Sequence, residues 1–209
     1  YAQHKLQQWY FNFQVVFVIL APAVGQDATG FTRAVFEDPF STPMVMARTM
    51  PFATHFYMNF LVLQWMTHCT NVVRNVQLMK FKAASIIFEE DEAKKLSEPE
   101  DQDYYGLGSR SARFTINLCI GIVFGTLSPP INLLTWINFW VCRVIYGYLI
   151  PFAETKKGDL GGDFWVTQLQ NIFVGNIIYC ILMAGVLCER AADYGPCLIA
   201  APSLIYVLW

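Results

Sequence analysis

"LVLQWMTHCTNVVRNVQLMKF", residues 61–81, is apolar and long enough to cross a membrane, yet it carries Gln64, Thr67, His68, Thr70, Asn71, Arg74 and Asn75. Acyl chains offer such groups no hydrogen-bond partner, so something other than lipid must face them. At about 100° per residue, Gln64, Thr67, His68, Asn71, Arg74 and Asn75 fall within roughly 120° of one another on a helix. His55 and Asn59, one turn apart, continue the polar line toward the other end with less regularity. Two readings stay open at this point. The polar groups hydrogen-bond to neighbouring helices as packing contacts, or they line a hydrated path, which an intramembrane arginine favours unless its side chain snorkels to the interface.

The rest of the chain reads the same way. Hydrophobic residues make up 55% of the 209 and charged residues only 14%, against about a quarter in soluble domains. The acids fall in clusters (Asp27 to Asp38, Glu89 to Asp103, Glu154 to Asp159, Asp163, Glu189 to Asp193) separated by long acid-free stretches. That is the pattern of membrane spans joined by wet loops, and it predicts an all-α, polytopic transmembrane bundle forming one membrane domain over residues 1–209. About six spans can be drawn: 9–24, 50–79, 114–127, 131–150, 164–187 and 196–209. The second exceeds the roughly twenty residues that a bilayer requires. Ser128, Pro129 and Pro130 separate the third from the fourth, and two prolines there remove two backbone donors, which predicts a helix break and a tight hairpin. Residues 81–113, with "FEEDEAKKLSEPEDQDYYGLGSRS" at 88–111, read as a hydrophilic, solvated connector on the cytoplasmic side. Its acids lack the alternating spacing and central glycine of a calcium loop. No metal site is expected.

With the N-terminus of this segment on the cytoplasmic side, Lys5, Lys80, Lys82, Lys94, Lys95, Arg110, Arg113, Lys156 and Lys157 face the cytoplasm and Arg33, Arg48 and Arg190 the other side. The asymmetry supports that orientation of an integral membrane protein, with the membrane itself unspecified. A net charge of −2 with no concentrated basic face excludes a nucleic-acid partner. The six cysteines form no C-x-x-C pair and read as buried free thiols, although Cys188 and Cys197 flank one loop and can pair if it faces an oxidising compartment. No G-x-S-x-G, H-E-x-x-H or Walker loop is present, so neither an enzyme nor a cofactor is expected. The chain opens on Tyr1 and stops at Trp209 inside "LIAAPSLIYVLW", an unfinished span, so a longer polypeptide or a processed product of one is expected.

Four phrases in order carry a family resemblance. They are "QQWYFNFQVVFVIL" (7–20), "STPMVMARTMPFATHFYMNFLVLQW" (41–65), "IVFGTLSPPINLL" (122–134) and "GDLGGDFWVTQLQNIFVG" (158–175). Together they resemble the C-terminal half of the OSCA/CSC-type family, the osmolality- and stretch-gated calcium-permeable cation channels. The resemblance implies a fold similar to the calcium-activated chloride channels and lipid scramblases, a path lined by the family's third to seventh spans, and subunits paired as dimers. It makes residues 50–79 the gating helix, with Ala53, Thr54, Phe56, Trp65 and Arg74 in family-like positions. Two departures stand out: this helix holds no glycine and no acid. A stiffer helix and a weaker preference for Ca²⁺ follow.

The leading expectation is therefore the pore half of a mechanically or osmotically gated, calcium-permeable cation channel. His55, Asn59, Gln64, Thr67, Asn71 and Arg74 are its path-facing residues. The alternatives are a non-conducting assembly or accessory subunit that kept the channel fold and, second, lipid scrambling along the same groove. The implied partners are membrane lipid, the N-terminal half of the channel or another membrane subunit, and a second copy in a homodimer.

Overall fold

A computed structural model describes residues 2–24, 33, 36–37, 42–98, 106–158, 160–191 and 193–208. Residues 99–105 of the expected hydrophilic connector lie outside these. Every described element is helical, with no strand among the described residues. In chain order they are α1 (Ala2–Gln14), continued by a π-helical turn (Val15–Leu20) into α2 (Ala21–Val24); α3 (Thr42–Thr49), followed by a 3₁₀ turn (Met50–Ala53); α4 (Thr54–Val73); α5 (Asn75–Ala84); and α6 (Glu90–Ser97). Then come α7 (Leu107–Gly125), α8 (Pro129–Tyr148) with a π-helical turn (Leu149–Ala153), a 3₁₀ turn (Leu160–Gly162) leading into α9 (Asp163–Arg190), and α10 (Gly195–Leu208). Two of these stretches, Pro129–Ala153 and Leu160–Arg190, are long and apolar enough to cross a membrane by length and composition, and Gly195–Val207 is a shorter apolar helix.

α7 is the hub. Ile116, Asn117, Cys119, Ile120, Val123 and Phe124 are all fully buried, because α1, α8 and α9 each take a different side of the helix. Between helices in lipid, burial of apolar surface supplies little drive, and close packing at small residues takes its place. A Cβ at Gly175 of α9 would stand 2.6 Å from the Cys119 sulfur, and one at Gly121 of α7 2.8 Å from Thr135 of α8. Neither position admits a side chain unless the residue facing it shifts.

The turn between α7 and α8 follows from its prolines. Ser128 is extended, and Pro129 and Pro130 fill the first two helical positions, where no intrahelical donor is required. Asn132 donates to the Gly125 carbonyl at 3.2 Å, satisfying one open acceptor at the end of α7. α4 is anchored at its start by Tyr57, which stacks on Phe124 with ring centroids 3.9 Å apart and donates to the Ile19 carbonyl at 2.7 Å.

Two expectations change. The stretch 50–79 is not one stiff helix: Arg74 adopts left-handed dihedrals (φ 49°, ψ 44°) and separates α4 from α5. The glycine expected at a bend is absent, and a residue with a Cβ occupies the strained conformation instead. The cysteines are not all buried free thiols. Cys188 at the end of α9 and Cys197 at the start of α10 form a disulfide with their Cα atoms 5.2 Å apart, and Cys69 is an exposed thiol.

Candidate functional site

The polar arc of α4 is divided between two sides of the helix. Tyr57, Leu61 and His68 form the buried stripe, with Gln64 and Asn71 half-buried beside them. His55 and Asn59 are exposed on the far side, since 13 and 9 residues before His68 correspond to about half a turn of offset at 100° per residue. Thr67 is half-buried, and its hydroxyl donates to the Leu63 carbonyl at 3.1 Å; Thr70 bonds Met66 in the same way at 2.7 Å. Both hydroxyls are thus satisfied by the carbonyls of their own helix.

The inner part of the arc meets α8 at one atom. The Tyr146 hydroxyl lies 3.0 Å from Nδ1 of His68 and accepts a 3.0 Å hydrogen bond from Nδ2 of Asn71. Phe114 of α7 closes edge-on against the same ring at 5.2 Å, and the Arg110 guanidinium sits over it, also at 5.2 Å. Three residues after Asn71, the Arg74 guanidinium donates to the Ala153 carbonyl in the π-helical turn that follows α8. α4 and α8 therefore run in the same direction. They are joined near their N-termini through Tyr57, Phe124 and Ser128, whose amide bonds Phe124, and at their C-termini through Tyr146 and Arg74.

Directly beyond lies a buried ion network. Arg110 of α7 grips Glu154 through two parallel bonds of 2.8 and 2.6 Å, and Lys157 holds the same carboxylate. The Arg110 and Glu154 side chains are 7% and 3% exposed. Burial opposes ionisation of Glu154; the hydrogen bonds and charges of Arg110 and Lys157 outweigh it and hold the carboxyl below its ordinary value of 4.5. At the opposite end of the bundle, Arg48 pairs with Glu189 at 2.8 Å next to the disulfide, with Arg48 64% exposed.

Of the residues expected to face a path, the structure gathers Asn71 and Arg74 against α8 and the turn after it. Gln64 and Thr67 stand half-buried, and His55 and Asn59 are turned away. Tyr146 and Glu154, on which the seam depends, were missed. The signal for Tyr146 was present: Thr135, Asn138, Cys142 and Tyr146 recur at three- and four-residue spacing along α8 and mark a polar stripe in an apolar helix. The signal for Glu154 was its position as the first acid after a span whose neighbours carry Arg110 and Lys157.

Residues 1–187 match the family described as calcium-dependent channel, 7TM region. Among similar proteins are sporulation-specific protein 75 of Saccharomyces cerevisiae (23% identical, over 85% of this chain and 21% of that protein) and phosphate metabolism protein 7 of the same yeast (22%, over 91% and 19%). A vacuolar transmembrane transporter, penV, of Penicillium rubens is 25% identical over 96% of this chain and 24% of its own length. The chain spans about a fifth to a quarter of the length of these relatives. No solved structure matches. The family's description names calcium, and Ca²⁺ takes six to eight oxygen ligands. At the seam the described residues offer one carboxylate, Glu154, already held by two cations, and no group of three or more His, Cys, Asp and Glu side chains among the described residues is placed to bind a metal. The match over residues 1–187 places this chain in the calcium-dependent channel, 7TM region family.

Proposed function

We propose that the chain builds part of the wall of a calcium-permeable cation path, opened by membrane tension or osmotic load, with α4 as the moving helix. One observation carries the reading: a polar latch sits directly before a hinge. His68 and Asn71 hold Tyr146, and three residues on the helix breaks at the left-handed Arg74. In this reading the conformation is closed. When the latch parts, α4 turns about Arg74 and brings Gln64, Thr67, Asn71 and Arg74 to the path, with His55 and Asn59 at its outer end. The opposite wall comes from parts of the whole protein outside this chain or from another membrane subunit, and two copies pair as a dimer. The charged end, with Arg110 and Lys157, faces the cytoplasm. The basic-residue asymmetry supports this orientation, as does the Cys188–Cys197 pair at the other end, which suits an oxidising compartment.

Patch recordings of the whole protein under graded tension test the proposal. Tyr146→Phe removes the hydroxyl that both partners use and lowers the tension for opening; Asn71→Asp restores an acid and raises cation over anion permeability. A threshold unchanged by Tyr146→Phe overturns the latch.

A second reading is favoured by the inward use of the arc. α4 holds no acid, and its His68 and Asn71 are bound within the bundle, as suits a non-conducting assembly subunit. A whole protein that passes no current at any tension, yet whose loss dissolves a larger membrane complex, supports that reading instead.

A further inference from the structure

We infer that the junction of α4, α7 and α8 is a binding site for internal water, held by Asn117, Thr135 and Asn138 and bordered by Gln64 and His68. Register places the three holders together. α7 and α8 are antiparallel, with Gly121 against Thr135 on one side and Phe114 against Tyr146 on the other. Asn117 lies one turn from both Phe114 and Gly121 on α7, and Asn138 lies one turn from Thr135 and two from Tyr146 on α8, all on the same buried stripe. The two amides therefore stand at one level of the interface. α4 supplies His68 at the level of Tyr146, and Gln64 one turn beyond it toward the disulfide end.

Burial and bonding then set the problem. Asn117 and Asn138 are fully buried and Thr135 nearly so. Both side-chain atoms of each asparagine, Oγ1 of Thr135, Oε1 of Gln64 and Nε2 of His68 have no hydrogen-bond partner among the described residues. Buried polar groups in a membrane are paired almost without exception, because lipid offers no substitute and each orphan costs more than a helix–helix hydrogen bond returns. What satisfies them must both donate and accept. The asparagine amides each bring an NH₂ and a carbonyl, and the threonine brings a hydroxyl. A cation would meet the amide hydrogens and an anion the carbonyls, whereas water answers both with two to four bonds apiece. The site stands whether or not the protein conducts.

Radiolytic hydroxyl footprinting of the whole protein in lipid nanodiscs tests it, because X-rays convert bound water to radical in place. Cys142 and Tyr146, one and two turns beyond Asn138 along the α8 stripe, should be modified several-fold faster than Tyr57 and Cys119, which are buried in the same bundle. The excess should vanish in Asn117→Leu/Asn138→Leu. Equal rates in the unaltered protein mean a dry junction and overturn the inference. So does an excess that survives the double substitution, which would mark entry of bulk water from the charged end. If the double variant does not fold, a cryo-EM map of the unaltered protein fine enough to show water decides: density between the two amides supports the site, and amides bonded directly to each other refute it.

Discussion

The two ends of the bundle are fastened by different chemistry. At one, a covalent link between Cys188 and Cys197 joins α9 to α10, and an exposed Arg48–Glu189 pair adds to it. At the other, nothing is covalent: Arg110, Glu154 and Lys157 form a closed charge network beside Tyr146, and Arg74 bonds the turn after α8. A covalent tie and a surface pair tolerate rearrangement around them. A buried network does not, since moving one member strands the others without water. The charged end is thus the end at which a change of conformation meets the sharpest energetic threshold, and it is where the polar arc of α4 is held.

The comparison can be broken by substitution. The largest effect is expected from Glu154→Ala, which removes the buried carboxylate that Arg110 and Lys157 share and destabilises the fold by about 3–5 kcal/mol in denaturant titration in micelles. Replacing both partners, Arg110→Met with Glu154→Leu, recovers most of that loss; no recovery would mean that Lys157 or the backbone carries the contact. The same network has a pH signature. The Glu154 carboxyl titrates below 4.5 in the folded protein, so its contribution is complete above that value and disappears as pH falls through the depressed one. The acid limb of the stability profile should flatten in Glu154→Gln. Next in size, Cys188→Ser opens a loop of nine residues and costs at most about 2.5 kcal/mol by loop-closure entropy, with an equal effect from reductant on the unaltered protein. Smallest is Arg48→Ala, expected to leave stability close to unchanged because the arginine is solvated. A loss as large as that of Glu154→Ala would erase the contrast between the ends.

The fold class was legible because low charge, clustered acids and long apolar runs admit few alternatives to a membrane bundle. The α7–α8 turn was legible from Pro129 and Pro130, whose missing donors fit only the start of a helix. The side of α4 that faces protein was not. Helical angle groups Gln64, His68 and Asn71, but it does not say which neighbour lies against them, and His55 and Asn59 joined the same line only by type. Tyr146 was passed over although it lies on the polar stripe of α8, because an aromatic in an apolar span reads equally well as a lipid-facing residue. Arg74 was weighed as a path residue or a snorkelling one, whereas its backbone makes the bend and its side chain bonds a neighbouring helix.

That α4 and α8 run parallel has an electrostatic consequence. Each helix ends with carbonyls pointing the same way, and each C-terminus carries about half an elementary negative charge. Two such ends side by side supply about one unit of negative charge where α4 has no acid. Among the described residues Arg74, Arg110 and Lys157 gather there beside the Glu154 carboxylate, and the backbone field of the paired helix ends adds to the negative charge that it supplies. A cation arriving at this end would meet that field as well, and it is a property of helix direction that no side-chain substitution removes.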